Sequence, residues 1–197
     1  MMVVTRVALA VAFVLMARPA LAHPPPLGIP GFFGGVLHPW FVPAHLIAIL
    51  GLGLLIGQMQ GWERKAPFAF IASLAAGLAI MTRGYVPMLM NELVLACGLV
   101  SGALVALARP LPEVAVGCVL AVVLGLAIAL DSPPEVVSVR EANFMLIGTG
   151  FGATLLLMAA VEIASRLRRD WQRLGARILG SWIAASAILV VALRLVR

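Results

Sequence analysis

His38-Pro39-Trp40-Phe41-Val42-Pro43-Ala44-His45 opens the first long apolar run of the chain and carries two of its three histidines. Seven residues apart, two imidazoles lie on roughly one face of a helix, about 10 Å from each other at a rise of about 1.5 Å per residue. Imidazole is a common ligand of zinc, copper, nickel and iron. Titratable groups inside an apolar span are costly enough to point to function. On a straight helix, two imidazoles about 10 Å apart cannot share one ion at about 2 Å. Either the Pro43 region bends the helix, or each histidine serves a different step or pairs with Glu92 or Asp131.

Outward from this stretch, the composition is that of a membrane protein. Of 197 residues, 63% are hydrophobic and 11% charged, with a mean hydropathy of +1.11. Soluble domains are about 45–50% apolar and about 25% charged. The net charge of +6 comes from basic residues set between apolar runs, where they read as topology determinants and not as a nucleic-acid face. Cys97 and Cys118 fall inside apolar runs and read as buried free thiols, with a disulfide or a soft-metal site as the alternative.

Residues 1–22 have a basic group at Arg6, an apolar core over 7–16 and then Ala20-Leu21-Ala22, the pattern of a cleavable signal peptide. Cleavage would leave His23 as an external N-terminus, where a terminal amine beside an imidazole can chelate a metal. The following Pro24 removes a backbone N–H that many such chelates use. The expected mature protein, 23–197, is an all-α bundle of six transmembrane helices over the apolar runs 36–58, 67–81, 87–107, 114–130, 142–165 and 178–195. Lys and Arg are biased towards cytoplasmic loops. With the N-terminus outside, the inner loops hold Arg64, Lys65, Arg109, Arg166, Arg168, Arg169, Arg173 and Arg177, and the outer segments hold only Arg83, Arg140, Arg194 and Arg197. The basic segment 166–177 reads as a short interfacial helix on the cytoplasmic face. Gly51, Gly53, Gly57, Ala72, Ala75, Ala76, Gly77, Gly148, Gly150 and Gly152 are small enough for close helix packing in lipid.

This topology sets the rare polar groups at similar depth in the outer half: His38, His45, Glu92 beside Asn91, Asp131 and Asn143. Imidazole and carboxylate suit Ni²⁺, Co²⁺ or Zn²⁺, and the sulfurs of Met88 and Met90 would tilt a site towards copper. Each group also has an ordinary reading. His38 can be a helix start, His45 a hydrogen-bonded core residue and Glu92 a packing residue. Asp131-Ser132-Pro133-Pro134 is a ready-made helix stop. Glu162 reads as an exit-side carboxylate or as a partner of Arg166 at i+4. No catalytic triad, H-E-x-x-H pair, P-loop or dinucleotide motif is present.

Phe32-Phe33-Gly34-Gly35-Val36-Leu37-His38-Pro39, His45-Leu46-Ile47-Ala48 and the glycines at 51 and 53 resemble the HupE/UreJ family of small membrane proteins. A weaker likeness runs from Pro87 to Asn91-Glu92, and another over the glycine-rich 148–158. The resemblance implies a signal peptide, an H-x5-D-H motif opening the first span, and nickel or cobalt uptake for hydrogenase and urease. Two departures stand out. Ala44 replaces the aspartate of that motif, and the family's second histidine-rich motif is missing from 125–134, where Asp131 could replace part of the lost site.

The expectation is therefore a non-enzymatic bacterial inner-membrane permease for a divalent metal, nickel or cobalt first and copper or zinc next. Its ligands would be His38, His45, Glu92, Asp131 and His23, and no cofactor would be tightly bound. The expected partners are the lipid bilayer, the metal ion, and a second copy or another membrane protein, with no nucleic acid. The alternative is a non-transporting accessory or scaffold subunit of a metalloenzyme or transporter assembly. A third reading is an intramembrane enzyme, which would need an open coordination position on its metal.

Overall fold

The computed structural model describes residues 29, 31–59, 65–84, 88–108, 114–134 and 138–195. The signal segment and His23 lie outside them. The described residues form seven helices: α1 (Gly31–Phe41), α2 (Pro43–Gly57), α3 (Lys65–Met81), α4 (Met90–Leu107), α5 (Val114–Leu130), α6 (Val139–Ser165) and α7 (Asp170–Leu195).

The first apolar run is two helices because proline interrupts it. Pro39 lies inside α1 and Pro43 heads α2, with Val42 extended between them (φ −87°, ψ 107°). A proline has no N–H for the carbonyl four residues back, and its ring crowds that carbonyl. The chain turns by 70° at this break. Backbone bonds from Val42 N to His38 O and from Leu46 N to Val42 O, both 3.0 Å, hold the two sides together.

Helices α4, α6 and α7 are long and apolar enough to cross a bilayer, and α1 with α2 qualifies as one bent span. Helix α3 and the stretch Val116–Leu130 of α5 are apolar but shorter. The expected separate interfacial helix over 166–177 is corrected: Arg166 to Arg169 form a turn, and α7 then runs unbroken from Asp170. The reason is local. Gln172 Oε1 accepts the backbone N–H groups of Arg168 and Arg169, which closes the helix start, and no proline follows within α7.

Helix α2 is the centre of the bundle. Its Ala48, Ile49, Leu52 and Ile56 are fully buried against Val94 and Cys97 of α4, Leu124 and Ile128 of α5, and Leu156 and Leu157 of α6. Helix α3 packs along α5, α1 along α6 and α7 along α4. Lipid is as apolar as leucine, so the helices are held by close contact and not by exclusion of water. The crossings are accordingly made of small residues. A Cβ on Gly148 or Gly152 of α6 would strike the α1 carbonyls of Phe32 or Val36, and one on Gly35 would strike Met145 O. Between α4 and α7, Gly102 and Gly180 are reciprocal: a Cβ on either lies 2.7 Å from the other's carbonyl oxygen. Arg177 Nε adds a bond to Ala106 O at 3.0 Å.

The α1–α6 crossing sets the position of His38, and its tightness is testable. Gly152→Ala should cost about 1–3 kcal/mol, as overpacking does, and lower the thermal midpoint in detergent. Gly175→Ala, where nothing lies within 4 Å, should leave that midpoint unchanged or raise it.

Candidate functional site

The 70° break closes the gap that a straight helix would leave between the two histidines. The ring centroids of His38 and His45 are 5.3 Å apart, edge to face at 63°. Both side chains are interior: His45 is 0% exposed and His38 6%. The Pro43 bend, one of the two arrangements open from sequence, is realised, and so is a pairing of His45 with Asp131.

His45 Nε2 lies 2.9 Å from Asp131 Oδ2, and Asn91 Nδ2 donates to the same oxygen at 3.0 Å. One carboxylate oxygen thus gathers α2, α4 and the end of α5. Asp131 is held there by the helix stop that its sequence encodes. Its N–H bonds to Ala127 O at 2.9 Å, the next hydroxyl, Ser132 Oγ, bonds back to Ile128 O at 2.6 Å, and Pro133-Pro134 ends the helix. The Asp131 side chain is 16% exposed, so the cluster touches the surface on this side.

Two polar atoms of the cluster, His45 Nδ1 and Asn91 Oδ1, are buried and make no hydrogen bond among the described residues. Leaving such an atom unpaired costs about 1–3 kcal/mol, and orphans of this kind call for a reason. An imidazole nitrogen is a donor that suits a borderline cation such as Ni²⁺ or Zn²⁺, and an amide oxygen is a harder one. Among the described residues no three His, Cys, Asp or Glu side chains are gathered as a metal-holding group, so a cation here would draw on imidazole, amide oxygen and water.

Glu92 is not brought to this cluster. Arg194 Nη1 donates to its Oε1 at 2.7 Å, with the two side chains 43% and 44% exposed. The cause is the helical angle: with Asn91 turned inward, its neighbour lies about 100° round the helix. The inward residue was readable. The buried residues of α4 include Val94, Leu95, Gly98, Ser101, Gly102 and Val105; Asn91 lies three, four and seven positions before the first three of these, at the middle of that face, and Glu92 lies at its edge. The Arg194 contact, 102 positions along the chain, had no local signal. Glu162 pairs with Arg166 at i+4 on an exposed face. Cys97 and Cys118 are both free thiols, the first buried and the second half-buried. Asn143 belongs to an open groove with Val139, Arg140, Phe144 and Ile147, and Arg140 sits 5.8 Å over the Phe144 ring.

No curated protein and no solved structure matches the chain. The sequence pattern described as HupE / UreJ protein matches residues 11–190, from before the bent pair to the last turns of α7, and the chain belongs to that family of multi-pass membrane proteins.

Proposed function

We propose that this protein is an inner-membrane permease for a divalent transition metal, nickel or cobalt first. The family is associated with nickel and cobalt transport or with accessory roles. In this reading the mature chain spans the membrane six times after signal cleavage, with its N-terminus in the periplasm and the histidine cluster in the outer half. The bend at Pro43, together with the part-buried His45–Asp131 contact at 2.9 Å, is the observation that carries the proposal.

The cargo ion would be taken by the imidazoles of His38 and His45, with Asp131 supplying the negative charge that offsets the ion in a low-dielectric interior. Protons compete for the same nitrogens, so loading weakens in acid medium. Glu92 is already engaged by Arg194 and is assigned no ligand role. The accessory-subunit reading draws its support from Ala44 and from the absence of a three-residue metal group among the described residues. Copurification of one stoichiometric partner with no bound metal would favour it.

Cellular accumulation of nickel, cobalt, copper and zinc separates the readings. Expression of wild type should raise one or two of the four. His45→Ala should cut that rise at least about tenfold, the scale on which metal sites respond to loss of a ligand or its support. Equal accumulation of all four metals with and without His45 would overturn the proposal. Glu92→Gln, which removes only a half-exposed ion pair worth about 0–1 kcal/mol, should transport within about twofold of wild type.

A further inference from the structure

We infer that Asp131, steadied by Asn91, is a positioning residue that fixes the proton of His45 on Nε2, so that Nδ1 is the atom His45 presents to the metal. The inference rests on the permease reading and specifies its chemistry.

The argument starts at one oxygen. Asp131 Oδ2 accepts the amide N–H of Asn91 at 3.0 Å. The same oxygen is 2.9 Å from His45 Nε2. A carboxylate oxygen offers only lone pairs, so Nε2 must be the donor. A neutral imidazole carries one N–H, and with it on Nε2 the lone pair lies on Nδ1. Nδ1 is the ring atom that is buried without a hydrogen-bond partner among the described residues. A proton there would be a stranded donor, whereas a lone pair there is a ligand in waiting. Carboxylate, imidazole and metal in series are a recurrent arrangement, in which the outer carboxylate sets ring orientation and strengthens the nitrogen as a donor.

Asn91 has a defined part in this. Its Nδ2 holds Oδ2 from a third helix, which leaves the carboxylate less freedom to rotate away from the ring. Position 44, next to His45, is alanine and can supply no carboxylate. The carboxylate instead arrives from the end of α5 and stands behind the imidazole. Asp131 is therefore a support for a ligand more than a ligand itself.

Nitrogen-15 spectra of histidine-labelled, metal-free protein in nanodiscs at mildly alkaline pH read the tautomer directly, with His45→Gln identifying the signals. Wild type should show protonated Nε2 and bare Nδ1 at His45. Asp131→Asn, which keeps the size and removes the charge, should give a mixture of tautomers. It should also weaken Ni²⁺ or Co²⁺ binding by about 10- to 100-fold, with partial recovery in Asp131→Glu. Asn91→Ala should shift both readouts in the same direction by less. Gel filtration of each variant confirms the fold, and the wild-type spectrum alone decides the tautomer if a variant does not fold. A proton on Nδ1 in wild type, or a tautomer unmoved in folded Asp131→Asn, overturns the inference. A fixed Nε2 proton in a wild-type protein that binds none of nickel, cobalt, copper and zinc refutes the permease reading and leaves the hydrogen-bond assignment standing.

Discussion

Pro43 has no N–H to give to the carbonyl of Pro39, and its ring occupies the space that carbonyl would need on a straight helix. From this one incompatibility come the 70° turn between α1 and α2 and the approach of two imidazoles that would otherwise lie two turns apart. Freed backbone groups inside an apolar span are tolerated only where protein covers them. Helix α1 meets that condition by lying against α6 over Gly35, Gly148 and Gly152, where the backbones touch with no Cβ between them. The bend and the glycines are one device. Without the glycines, α1 could not lie close enough to α6 to bring His38 inside.

The second constraint is electrostatic. A lone carboxylate or a lone imidazole in this interior would be expensive. His45, Asn91 and Asp131 reduce the cost jointly, and the Asp131 side chain keeps a small exposure at the surface of the bundle. The cluster is incomplete as it stands, with a nitrogen and an amide oxygen unpaired. That incompleteness distinguishes it from the other buried polar groups. Ser101, Ser132 and Thr149 all bond back to a carbonyl of their own helix and are self-sufficient.

Much of this was legible in the sequence, for identifiable reasons. The apolar runs are long and punctuated by proline, glycine and charge, so the helices announce themselves. The histidine spacing shows that a straight helix does not bring the two rings together, and Pro43 and Asp131 are among the residues in the sequence that can resolve it. Glu92 drew attention by its charge, while the inward residue was its uncharged neighbour. A charge next to a polar amide in a membrane helix catches the eye, but helical phase decides which of the two faces the core. The bend of the first run was open from Pro43, whereas the merging of the basic segment into α7 depended on where hydrogen bonds could close, which composition does not reveal.

Helices α4 and α7 are fastened at three heights. Arg177 grips the Ala106 carbonyl at one end, Gly102 and Gly180 touch backbone to backbone in the middle, and Arg194 clasps Glu92 at the other end. These three contacts keep the two helices in one register along their length, the glycine contact tightest because backbone meets backbone there. Helix α2 meets this pair along a seam where Gly51 abuts Ser101 and Ala48 abuts Gly98. Three helices thus converge at Gly51, where the Ser101 hydroxyl of α4 and the Ile183 side chain of α7 both reach the space that its missing Cβ leaves.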